Sequence, residues 1–220
     1  MQYKNLSIEK IFHAAVKITG QQVIYIDPFH LPDNSTPADL ILITHEHHDH
    51  LSVEDIKKIS NQNTTIIASI LCQEKLASLE VKEILYVRPG DALEIGNIKI
   101  QAVPAYNINK FRPTGIPFHP EDSEKVGYVI EIDNIKIYHA GDTDNIPEMT
   151  NLKNIDLAFL PISGIFVMTP IEAAEAANVI DAKITIPMHY GDYEFNNQLL
   201  GPKENAEIFK KLCKARVEII

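Results

Sequence analysis

Two cysteines in 220 residues, Cys72 and Cys213, leave no material for a disulfide framework, and neither sits in the CxxC spacing of redox or zinc motifs. They read as free thiols of a reducing compartment, which points to the cytoplasm. No apolar run approaches the ~20 residues needed to span a bilayer. The first ten residues, MQYKNLSIEK, lack the apolar segment of a signal peptide. Basic residues are also short: 20 Lys and Arg stand against 30 Asp and Glu, a formal net charge of -10. That balance argues against the basic face of a nucleic-acid binder. A small anionic substrate stays compatible with it, because a bound metal supplies positive charge locally. There is no GxSxG motif, no linker, no low-complexity segment and no internal repeat. What is left, 45% hydrophobic and 23% charged, reads as one globular domain over residues 1–220.

Short apolar β-type runs alternate with helical patterns. Strands are expected at 13–18, 22–27, 40–44, 64–69, 83–87, 98–103, 127–132, 135–140, 156–162, 183–188 and 216–220. Gly96-Asn97 and Asp133-Asn134 lie between strand patterns and read as two-residue hairpins. Helices are expected at 53–60, 71–78, 170–180 and 202–214. The third opens TPIE, with Thr169 as N-cap, Pro170 at the first helical position and Glu172 closing a capping box. Residues 105–125 form a long Pro-, Asn- and Gly-rich connection without periodicity, and a loop of that length is more often functional than idle. The pattern implies α+β layers, sheets inside and helices outside.

The chemistry concentrates in ITHEHHDHLS, residues 43–52, with four histidines, a glutamate and an aspartate in six consecutive positions. Residues two apart in an extended segment point the same way, so His45 and His47 can close on one ion. Asp49 and His50 follow a turn later, before a helix that Ser52 can cap, and can face a second ion. Imidazole with carboxylate suits zinc and tolerates manganese or iron. Two more β-runs end in ligand-type residues: IKIYHAGDTD reaches Asp142, and KITIPMHYGD reaches His189. Three such endings imply that all three runs finish on one edge of the sheet. A carboxylate such as Asp142 can bridge two cations ~3.5–4 Å apart.

HxHxDH, then GDTD, then PMHYG, in this order and spacing, resemble the metallo-β-lactamase superfamily. The likeness runs through most of the chain. FHAAVKITGQQVIYIDPF at 12–29 is similar to the family's opening hairpin. YHAGDTDNIPEM and DLAFLPISGIFVMTPIEAAEAA resemble a branch of small metal-dependent hydrolases that includes ascorbate-phosphate lactonases and is related to the N-acyl-phosphatidylethanolamine phospholipase D. The resemblance implies a four-layer αββα sandwich and two divalent ions, zinc first, with manganese or iron as substitutes. It implies His45 and His47 on the first ion, Asp49, His50 and His189 on the second, and Asp142 bridging. Asp27 would stand behind a ligand histidine and orient it. His13 would be structural. One departure concerns the family's third histidine on the first ion, where this chain reads VPAYNINKF with Asn107. Three readings stay open there: His119 reaches back as the ligand, Asn107 ligates weakly, or water fills the place.

A hydroxide held between two cations is a nucleophile at neutral pH, and the same ions polarise a carbonyl or phosphoryl group. The expected reaction is hydrolysis of an ester, lactone, amide or phosphodiester in a small molecule, with Asp49 positioning the hydroxide and moving its proton. Asn107, Lys110 and Arg112 are candidate substrate-binding residues, the two cations for an anionic group. His48 alternates with the ligands and should point away. His139 should pack or support, and His30 should be an exposed loop residue. Two other readings stand beside hydrolysis. Iron-dependent redox relatives exist in the superfamily, although those with two irons usually carry glutamate where His47 stands. A metal-binding protein without catalysis is the third.

Overall fold

A computed structural model of the chain describes every residue except 192 and 196. The chain divides into two compact units, residues 1–88 with Ile220, and residues 89–219.

The first unit is built on a seven-stranded sheet whose strands lie in chain order. They are β1 (Gln2–Tyr3), β2 (Leu6–Phe12), β3 (Ala15–Thr19), β4 (Val23–Ile26), β5 (Leu40–Ile43), β6 (Thr65–Ser69) and β7 (Glu83–Val87). β1 to β4 pair antiparallel, and β4 to β7 run parallel. β5 and β6 are buried at every position, which is why their sequences read as unbroken apolar runs without alternation. Helix α1 (Val53–Ile59) starts where Ser52 accepts a hydrogen bond from Asp55 N–H at 3.2 Å. Such a cap contributes about 1 kcal/mol. Its buried residues Ile56 and Ile59 join Tyr25, Ile41, Ile66 and Leu76 in the core of this unit. α2 (Gln73–Leu76) is a single turn preceded by a 3-10 turn over Ile70–Cys72.

The second unit holds β8 (Ala92–Ile95), β9 (Ile98–Pro104), β10 (Val126–Ile132), β11 (Ile135–His139), β12 (Leu157–Pro161), β13 (Ile184–Met188), the short hairpin β14 (Glu194–Phe195) and β15 (Gln198–Leu199), and β16 (Arg216–Val217). Its seven-stranded sheet has the order β16-β13-β12-β11-β10-β9-β8. Both predicted hairpins form. At Asp133 and Asn134 φ is +51° and +59°, the left-handed pair that a tight hairpin between right-twisted strands requires. Helix α3 (Pro170–Ile180) carries the expected capping box of Thr169 and Glu172. It packs beside α4 (Glu204–Leu212). No helix among the described residues is long and apolar enough to cross a membrane.

Several expectations need correction, among them the helix expected at 71–78, of which α2 is only four residues, and the strand expected at 216–220, of which only Arg216–Val217 forms. β2 was not anticipated, because Glu9 and Lys10 interrupt the apolar pattern that Leu6 and Ile8 begin. The strand expected from residue 13 starts at Ala15, since His13 and Ala14 form the turn between β2 and β3. The three ligand-bearing runs do not share one sheet: β5 belongs to the first, while β11 and β13 flank β12 in the second. Because β11, β12 and β13 run parallel, Asp142 and His189 do leave that second sheet at the same edge.

Candidate metal centre

In the first unit the organising residue is Asp27, fully buried at the end of β4 with φ of +47°. Its carboxylate accepts Thr44 N–H and Thr44 Oγ1–H, each at 2.7 Å, and lies 2.7 Å from His50 Nδ1. A hydroxyl has one proton to donate. With that proton on Asp27, the 2.9 Å contact between Thr44 Oγ1 and His45 Nδ1 is donated by the imidazole. Both His45 and His50 therefore carry their proton on Nδ1 and present a bare Nε2, the form a metal takes. His45 Nε2 stands 3.0 Å from His47 Nδ1, two nitrogens arranged for a cation or proton between them. Asp49, His50 and His13 form a second group, with one donor atom from each within 4.8 Å of the others. His13 Nε2 is 3.3 Å from Asp49 Oδ2.

In the second unit Asp142 follows β11 and is almost fully buried. One carboxylate oxygen lies 3.3 Å from His119 Nε2, and the other lies 3.3 Å from His189 Nε2. Asn107 does not face that carboxylate pair. Its side-chain oxygen accepts His119 N–H at 2.8 Å and His119 Nδ1–H at 2.9 Å. Its amide nitrogen donates to Phe166 O at 2.9 Å, which fixes which end is oxygen. Asn107 thus holds the His119 ring with Nε2 bare. His189 sits at φ of +58° directly after β13, a backbone turn that swings the ring out of strand register.

Lys110 Nζ is engaged inside the protein, 2.9 Å from Glu172 and 3.5 Å from Asp144. Burial works against the Glu172 charge, but Lys110, the Thr169 N–H and Asn109 outweigh it and hold the carboxyl at about 2. Asp144 also accepts the N–H groups of Ile108 and Asn109. Arg112 is exposed, its guanidinium 5.2 Å from the Phe118 ring centre. Phe118 packs edge-on against Phe166, and Phe166 against Phe195. The His48 side chain is 56% exposed, and exposed His30 stacks on Phe12. His139 is buried and accepts Gly141 N–H at its Nδ1. The resemblance gave His13 a structural role only; the structure places its Nε2 beside Asp49, and its signal in the sequence is no more than a histidine in a tight turn between two strands.

Donor type, burial and spacing all suit divalent ions. Two ligands at 2.0–2.1 Å on a tetrahedral zinc are about 3.3–3.4 Å apart, which matches the 3.3 Å contacts of His13, His119 and His189. The direct hydrogen bond between Asp27 and His50 is shorter, at 2.7 Å.

Two sheets of this topology, with histidine and aspartate donors at the strand ends, define a metallo-β-lactamase fold. Residues 7–189 match the Beta-lactamase superfamily domain, and the chain belongs to that family. A UPF0173 metal-dependent hydrolase from Thermococcus onnurineus is 35% identical over 94% of this chain and 92% of its own length. Another from Thermoplasma acidophilum is 34% identical over 87% and 86%. A crystal structure from Parabacteroides distasonis, described as a metal-dependent hydrolase, superposes with a TM-score of 0.83 at 35% identity, covering 97% of this chain and 92% of that one.

Proposed function

We propose that the chain hydrolyses an ester, lactone, amide or phosphodiester bond of a small substrate, with two divalent ions, zinc first among them. His45, His47 and His119 would hold one ion, Asp49, His50 and His189 the other, and Asp142 both. The single observation that carries this reading is Asp142, with a histidine Nε2 at 3.3 Å from each of its two oxygens. A lone histidine–carboxylate hydrogen bond would use one oxygen at hydrogen-bond length; a bridging carboxylate uses both.

Ions bound there would bring the pKa of water from ~15.7 to about 7 and polarise the bond under attack. The protein's own contribution is orientation. Asp27 and Thr44 keep Nε2 of His50 and His45 bare, and Asn107 does the same for His119. Asp49 would accept the proton released on attack. Arg112, with Lys110 already neutralised, is the cation left to meet an anionic group on the substrate. The reduced cysteines Cys72 and Cys213 fit a cytoplasmic enzyme.

The test is elemental analysis of protein purified without chelators or added metal, followed by hydrolysis assays in zinc and in manganese. Near two zinc or manganese ions per chain, and cleavage abolished in Asp142→Ala, is the expected result. Iron in place of zinc, with no hydrolysis of any bond class, would move the protein to the redox branch. Two ions bound with no reaction would make it a metal-binding protein.

A further inference from the structure

His13 occupies an odd place for a hairpin residue. Turns normally lie on the surface, yet this side chain is fully buried. Its φ is +51°, in the left-handed region where glycine and asparagine are the usual occupants of a tight hairpin. The pairing of β2 with β3 is irregular between Lys10 and Phe12, just before the turn. Such bulges re-aim a side chain beside functional sites. Three departures from the cheapest hairpin thus converge on where this imidazole points.

It points at Asp49. The 3.3 Å separation of His13 Nε2 from Asp49 Oδ2 is longer than the 2.7 Å hydrogen bond of His50 to Asp27 in the same unit. It equals the spacing expected of two ligands on one zinc ion. His50 Nε2 lies 3.9 Å from the same Asp49 oxygen. The His13 and His50 rings meet nearly edge-on with centres 6.1 Å apart, so the three donors surround a common point rather than stacking in a row.

We infer that His13 is a ligand of the ion held by Asp49 and His50. The inference rests on the metal-centre reading above and adds a residue to it. With His13 in place, this ion would have three buried side-chain donors from one unit, His13, Asp49 and His50, and would be the tighter of the two sites.

The experiment is zinc titration of the full chain by equilibrium dialysis, with cobalt absorption spectra on the same proteins. Wild type is compared with His13→Asn, which accepts the left-handed backbone, and with His13→Ala. Two zinc ions on wild type, with the tighter site weakened at least ten-fold and the first-equivalent cobalt spectrum altered in His13→Asn, is the expected result. An unchanged tight site and an unchanged spectrum in a folded His13→Asn variant overturn the inference and leave the dinuclear reading intact. No zinc on wild type defeats the dinuclear reading itself, and the inference with it. Should both variants fail to fold, X-ray absorption on wild type with one zinc equivalent decides. Three imidazoles on that ion support His13, His50 and His189 together; two overturn the assignment.

Discussion

Asp27→Asn separates orientation from packing more cleanly than any other change in the chain. The asparagine has the same shape and is at home at φ of +47°, so the backbone is not strained. Its one oxygen can still accept Thr44 N–H, held at 2.7 Å in the native protein. Its amide N–H then faces Thr44 Oγ1 and His50 Nδ1, where the carboxylate accepted a proton. His50 can accept there only by moving its own proton to Nε2, the atom that must be bare to bind metal. Loss of an orienting partner of this kind costs roughly 10–100-fold in metal affinity, or about 1.4–2.7 kcal/mol. Asp27→Ala behaves differently. It strands Thr44 N–H and His50 Nδ1–H in the interior at about 1–3 kcal/mol each, and places alanine in a left-handed conformation at about 1 kcal/mol. The assay pairs zinc dialysis with thermal unfolding of the metal-free proteins. Asp27→Asn should lose affinity with little change in melting temperature. Asp27→Ala should lose about 5 kcal/mol of stability, a fall of roughly 10–20 °C for a chain of this size. Zinc affinity within two-fold of wild type in Asp27→Asn would refute the proton assignment on which the site is argued.

Glu172, held at about 2 against a usual 4.5, contributes stability that is fully present above pH 4.5 and is lost as pH falls toward 2. Glu172→Gln should therefore narrow the gap to wild type steadily over that window in acid-unfolding curves. Burial pushes the half-buried Cys213 thiol up to about 11, and Cys72 is fully buried. Iodoacetamide at pH 8 should label Cys213 slowly and Cys72 not at all until denaturant is added, read by mass spectrometry. Chelation should lower the melting temperature, since ions present at 100 times their Kd stabilise by about 2.7 kcal/mol. An unchanged melt after complete metal removal would contradict the donor geometry.

The parts of this molecule that local sequence dictates are legible in the sequence itself. β5, β11 and β13 announce themselves as apolar runs, α3 by its Thr169-Pro170-Glu172 start, and the tight turns by Gly96-Asn97 and Asp133-Asn134. The ligand-type residues were also visible, because nothing in helix or strand formation asks for HEHHDH. Illegible were the facts carried by pairing across long distances. Which sheet a strand joins is decided by partners far along the chain, so β5 could not be parted from β11 and β13 by its own residues. The roles of Asn107 and His119 depend on a loop folding back until residues twelve apart share one oxygen. His13 gave no periodic signal, since its meaning comes from burial and a backbone turn.

The loop of residues 105–125 is pinned at its feet and exposed at its tip, where Arg112 N–H donates to Ile116 O at 2.8 Å. Asp144 takes the N–H groups of Ile108 and Asn109, Lys110 reaches both Asp144 and Glu172, and Ala105 N–H closes onto Lys125 O. Phe111 and Ile116, near the tip, are 49% and 55% exposed. Insertions or replacements between Phe111 and Ile116 can therefore reshape what the loop contacts while His119 stays where Asn107 holds it. On the hydrolase reading proposed above, the choice of substrate could drift through evolution without the proposed metal ligands ever being renegotiated.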